Sequence, residues 1–133
     1  PALLEGTRDA EGTVIYPGLR AMLPGAEGQL RWAVILSLGQ LGDSQGLDEL
    51  LRLARDQEPL TRASAIRAMG ETGQSRFVQP LLDILWTESS PTVQSAGLTS
   101  LGHLVPADRH PRQDAASPYT ERLQAWADAT RSQ

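Results

Sequence analysis

A repeat with a period near thirty residues constrains this chain more than any other feature. The stretch from Arg31 to Asp43 (RWAVILSLGQLGD) aligns with Arg62 to Gln74 (RASAIRAMGETGQ) and with Gln94 to Val105 (QSAGLTSLGHLV), at intervals of 31 and then 32 residues. Pro59 and Pro91 share the interval of 32, and Leu47 to Ala54 matches Val78 to Leu85 in its apolar positions. A fixed period of about 20 to 50 residues is the mark of units that cannot bury an apolar face alone and stack on their neighbours to do so.

Within each unit the apolar spacing is helical. Ala33, Ile35, Leu38 and Leu41 recur at three- and four-residue steps, as do Leu47, Leu50, Leu51 and Ala54, so each unit reads as a pair of helices. Gly39, Gly42, Gly70, Gly73 and Gly102 are expected where the first helix of a pair stops and turns, because glycine adopts positive φ at no steric cost. Pro59 and Pro91 fall at the joins between units, and Pro80 in a first helical turn, where a missing N–H costs little. The expected fold is all-α, an α-α superhelix or short solenoid of three to four helix pairs.

The units divide the single domain, 1–133, into a partial first unit (1–28), a second (29–59), a third (60–91) and a fourth, C-terminal unit (92–133). In the first, the segment Ile15 to Leu23 resembles a second helix, and Ala2 to Leu4 the remnant of a first; the opening at Pro1 suits an excised domain. In the last, a long internal loop over 105–118, rich in proline and charge, precedes Tyr119 to Ala129, which reads as a delayed second helix capping the stack.

Composition narrows the function classes. Hydrophobic residues make up 40% and aromatics only 5%, a balance that suits packed helices rich in Leu and Ala. The absence of cysteine excludes disulfides, thiolate metal sites and a cysteine nucleophile, and leaves the compartment open, a cytoplasmic location being expected over an exported one. A formal net charge of -4 argues against a nucleic-acid partner, which needs clustered cations. No apolar run approaches the roughly 20 residues that cross a bilayer, so no membrane insertion is expected. All twelve cations are arginine, a compositional bias without mechanistic meaning.

The run from Arg76 to Gly102, with Leu38-Gly39-Gln40-Leu41-Gly42-Asp43 before it, resembles HEAT repeats of the bacterial type named after phycobilisome bilin lyases. The resemblance covers roughly residues 13 to 105. Met69-Gly70-Glu71-Thr72-Gly73-Gln74 departs from that pattern at its ends, and Leu101 to Val105 has lost the second glycine. The resemblance implies an ion-pair ladder between units, from a basic residue early in the first helix and an acid just before it. Arg31 after Glu27 and Arg62 after Glu58 fit, whereas Gln94 after Glu88 does not.

The resemblance also implies that second helices line a concave face on which partners are held. On that face Asp48, Glu49, Arg52 and Arg55 are expected to point outward from the second unit, and Arg76, Gln79, Asp83 and Trp86 from the third. Trp86 stands out because Leu81, Leu82 and Leu85 already fill the core positions and its counterpart one period earlier is Arg55. An exposed tryptophan is a common anchor of a binding surface, although lone surface aromatics are also ordinary. Trp32 and Leu36 make an apolar strip on a first helix, where the counterparts are Ala63 with Arg67 and Ser95 with Thr99. The strip is expected either to meet another domain or copy, or to lie beneath the irregular amino-terminal segment.

Catalytic chemistry finds little material. There are two histidines, no glycine-rich phosphate loop and no recognisable cofactor motif. His103, His110, Asp108 and Asp114 cluster in sequence without regular ligand spacing, so no metal site is expected. Asp48 and Glu49 are adjacent and point about 100° apart on a helix, too divergent for joint acid–base work. The paired His-Glu motifs of the hydroxylase branch of the family are missing. The chain therefore reads as a non-catalytic scaffold for a protein partner or a flanking domain of the same polypeptide. An accessory bilin lyase-like subunit and an architectural spacer are the alternatives.

Overall fold

A computed structural model describes residues 2–112 and 114–131; Pro1 and Gln113, within the stretches read above as an excised end and a long loop, lie outside the described residues. Among the described residues the chain is helical apart from one small hairpin: β1 (Thr7–Arg8), β2 (Val14–Ile15), α1 (Pro17–Met22), α2 (Gly28–Gln40), α3 (Ser44–Leu53), α4 (Pro59–Thr72), α5 (Val78–Trp86), α6 (Pro91–Leu104) and α7 (Tyr119–Arg131). The helices α2, α4 and α6 are the first helices of the repeat, and α3 and α5 the second. One apolar core runs through them, from Leu19 and Leu23 at one end to Leu123 and Trp126 at the other.

Local chemistry sets the helix ends. Pro17, Pro59 and Pro91 each open a helix, where φ is already suited and no donor is lost. Asp43 caps α3, its carboxylate accepting from the Gln45 amide at 2.9 Å. Only two of the five glycines expected to turn the chain do so: Gly42 at φ 79° and Gly73 at φ 67°. Gly39, Gly70 and Gly102 lie inside α2, α4 and α6. For the first two, the reason is crowding: a Cβ on Gly39 would sit 3.0 Å from Thr72, and one on Gly70 2.7 Å from the Ser100 hydroxyl. Those glycines let neighbouring helices close on each other.

The amino-terminal unit departs from the expected helix over Ile15 to Leu23. Ile15 belongs to the hairpin, paired with Thr7, and the helix starts at Pro17. The Asp9 carboxylate accepts from the Glu11 and Thr13 amides at 3.0 and 2.9 Å and so closes the turn locally, while Gly12 takes φ 84°. Asp43, fully buried, ties this segment to the stack by accepting from the Tyr16 amide at 2.8 Å and from Arg20 Nε at 2.9 Å.

The expected ladder takes another form. Arg31 pairs with Glu49 at 2.9 Å and Arg62 with Glu88 through two bonds of 2.9 Å, whereas Glu27 and Glu58 are exposed N-cap residues that accept no side-chain cap bond. The acids come from or just beyond the second helix of the same unit because antiparallel pairing brings that end beside the start of the first. What links successive units is a carbonyl tie. Arg31 donates to Leu23 O at 3.0 Å, Arg62 to Asp56 O and Gln57 O at 3.0 Å each, and Gln94 to Glu88 O at 2.9 Å. Gln94 therefore keeps the function of the position without its charge.

The last helix forms where the spacing placed it, but does not run as a hairpin partner would. The Tyr119 hydroxyl donates to Leu85 O at 2.6 Å, beside the amino end of α6. Trp126 meets the edge of His110 at 4.9 Å between ring centres, and His110 Nε2 bonds Val105 O, just past the carboxyl end of α6, at 2.7 Å. Helix α7 thus ascends in the same direction as α6. The connection, which contains Pro106, Pro111, Pro118 and a 3-10 turn at Ala107–Arg109, is long enough to carry the chain back before α7 begins.

Candidate functional site

The outward flanks of α3 and α5 carry the residues singled out from the sequence. On α3, Leu47 and Leu50 turn into the core, leaving Asp48 and Arg52 exposed, with Arg55 exposed just beyond the helix end. On α5, Leu81, Leu82, Ile84 and Leu85 are buried, and Gln79, Asp83 and Trp86 are exposed; Arg76 is exposed in the preceding 3-10 turn Ser75–Phe77. Trp86 keeps 44% of its surface accessible, which is large for an aromatic side chain with a full core beneath it.

The charges on this flank are not equivalent. Glu49 is half-buried and accepts from both Arg31 and Arg52, and the hydrogen bond from Arg52 leads in holding its carboxyl below the usual range. Arg52 is exposed but spoken for. The Arg55 side chain has no hydrogen-bond or ion-pair partner among the described residues, which leaves its guanidinium open to an incoming acceptor. A recess of about 240 Å³ joins it to the end of α5, lined by Ala54, Arg55 and Asp56 on one side and Ile84, Thr87 and Glu88 on the other.

The bond pair Arg62–Glu88 forms part of this recess, and sequence reasoning had not linked its two members. Burial would raise the Glu88 carboxyl, but Arg62 and the Ser90 and Ser89 amides outweigh it and hold the group below its ordinary value. The signal that could have joined them is the repeat itself: Gln94, Arg62 and Arg31 share a register, and Gln94, the residue after Glu88 at that register, carries no charge to pair with it.

Trp32 and Leu36 lie elsewhere. Both are half-buried on α2, and they line a shallow recess of about 420 Å³ with Gln29, Ala33 and Ser64 of α4. No described residue of the amino-terminal segment lines it. The structure therefore separates the two groups of candidate residues, one on the second helices and one between the first helices.

Among the described residues no cluster of three or more His, Asp or Glu side chains is arranged to hold a metal ion. His110 is engaged with Val105 O and Trp126, and Asp114 accepts from the Ala116 amide of its own turn at 2.9 Å. No described helix is long and apolar enough to cross a membrane.

A protein-family model described as HEAT repeats matches residues 16–102, from the start of α1 nearly to the end of α6. The hairpin and α7 fall outside the match. No curated protein and no solved structure matches the chain.

Proposed function

From a chain that belongs to the HEAT repeat family, a family of generally non-catalytic arrays that mediate protein–protein interaction, we infer a scaffold that holds a protein partner or a neighbouring domain along the flank of α3 and α5. The observation that carries this reading is Trp86, a largely exposed tryptophan at the register where the preceding unit has the unpaired Arg55. Aromatic and arginine side chains dominate binding energy where they can be fully desolvated by a partner, the aromatic because it covers much area with few rotors and arginine through its planar fork of donors. Asp48, Gln79, Asp83 and Arg76 then supply a polar rim around that anchor, and Arg52 contributes through Glu49.

The net charge of -4 and the mixed signs on this flank support a protein partner over nucleic acid. Within the recess Arg62 and Glu88 are spent on each other, which supports binding over chemistry.

Photo-crosslinkable residues placed at Gln79 and Asp83 test the assignment, with affinity capture by the wild-type chain beside Trp86→Ala and Arg55→Glu. Adducts at both positions, lost in the two folded variants, are the expected result. Capture that is equally strong in both variants would instead indicate an architectural spacer, and adducts with a lyase catalytic chain would indicate an accessory subunit.

A further inference from the structure

The recess beside Arg55 has most of its hydrogen-bonding capacity engaged within the chain. Arg62 directs Nε and Nη2 to the two oxygens of Glu88, at 2.9 Å each, and Nη1 to the Asp56 and Gln57 carbonyls, at 3.0 Å each. Glu88 Oε2 also accepts from the Ser89 and Ser90 amides at 3.1 and 3.0 Å. The Thr87 hydroxyl donates to Ile84 O at 3.3 Å, and the Asp56 carboxylate accepts from the Glu58 amide at 2.9 Å. Ala54 and Ile84, both buried, supply apolar wall. Of the two cations that line the recess, only Arg55 keeps its side-chain donors uncommitted among the described residues.

A guanidinium is a planar fork of donors with no acceptor, and a carboxylate meets it through two parallel charge-assisted bonds. Asp56 and Glu88 line the same recess. A phosphate, with close to two negative charges, would meet more repulsion from them than a single carboxylate held at the Arg55 edge. Trp86, 44% exposed, occupies the Arg55 position one unit further along. Neighbouring helices in such a stack lie about 10 Å apart, a span that an extended chain covers in about three residues. Arg55 follows the last residue of α3 and Trp86 is the last of α5. A segment joining them therefore crosses the helix ends rather than lying in a groove along them, which suits an extended chain.

Resting on the reading of the α3 and α5 flank as a binding surface, we propose that its occupant is an extended segment of a protein partner with an aspartate or glutamate for Arg55 and a bulky apolar side chain for Trp86, about three residues apart. The carboxylate bridges the Arg55 fork at the mouth of the recess, and the apolar side chain covers the exposed indole. The two contacts select differently: a basic segment is repelled at Arg55, and an acidic segment without the apolar residue leaves Trp86 in water.

The probe is a phage-displayed library of random peptides panned against the whole chain. Recovered peptides should pair Asp or Glu with a bulky apolar residue about three positions away. Added to the isotopically labelled chain, they should shift the amide resonances of Arg55, Thr87 and Trp86. Replacing the acid of a recovered peptide by its amide should weaken binding about tenfold or more, as the loss of a hydrogen-bonded charge does. Panning against Arg55→Glu, which should fold because that side chain is exposed and unbonded, should exchange the acid for Lys or Arg and retain the apolar residue. Peptides that shift Trp86 yet bind equally well with the acid or its amide overturn this inference and leave the flank standing as a binding surface. Binders that leave α3 and α5 unperturbed, or no binders at all, overturn both.

Discussion

Gly46 has no room for a side chain: a Cβ would fall 2.4 Å from Leu38 Cβ and 2.7 Å from the Gly39 amide nitrogen. Alanine would gain about 1 kcal/mol of helix propensity there, but forcing two backbones apart costs about 1–3 kcal/mol, and here the obstacle is backbone rather than a flexible tip. Gly46→Ala is therefore expected to destabilise the fold by about 1–2 kcal/mol in urea unfolding. At Asp43, burial pushes the carboxyl up, and hydrogen bonds from Arg20, Tyr16 and Gln45 overcome it and hold the group below the ordinary carboxylate range. A lowered carboxyl stabilises the fold fully above the unfolded value, and that contribution fades as pH falls through the folded one. Asp43→Asn should cost about 1.5–3 kcal/mol at pH 7, with wild type and variant converging in acid. A constant difference down to the acid limit would refute the linkage.

Pairs of helices are held by features that only their antiparallel arrangement brings together. The side chain of Glu88 is 4% exposed, so removing its partner strands a charge. Arg62→Gln keeps an amide for the carbonyl tie, as Gln94 does, yet should cost about 3 kcal/mol in thermal or chemical unfolding. Adding Glu88→Gln should recover part of that loss. For α7, burial lifts the Tyr119 phenol to about 12, so it donates to Leu85 O across the ordinary pH range. Tyr119→Phe is expected to cost about 1 kcal/mol and to speed amide exchange in α7 ahead of the other helices. Helix existence here was legible from apolar spacing. The direction of α7 was not, because the length of a connection does not say where it brings the chain back.

As a stack, the molecule has no single centre, and each unit gains stability from its neighbours. Helix α4 has a first helix on either side, so its amides should be the slowest to exchange, with the hairpin and α1 the fastest. Exchange measured by mass spectrometry checks this, and uniform protection would contradict it. Trp86→Ala belongs at this scale too: it should change stability by less than about 0.5 kcal/mol while weakening partner capture by about 2 kcal/mol. The exposure of Trp86 was legible in the sequence because Leu81, Leu82 and Leu85 satisfied the core. The ion pairing of Arg52 was not, since it depends on where Glu49 lies between two helices.

Period, helix-pair architecture and the apolar face of each helix follow from the order of residues alone, because a helix turns its side chains out at a fixed angle and a recurring pattern must bury a recurring stripe. How close those helices come is a different matter. Gly39, Gly70 and Gly102 look alike in sequence, and each behaves as its neighbour dictates: two are pressed by another helix and one faces open space. Steric fit between surfaces is a property of two elements at once, and no single stretch of chain contains both.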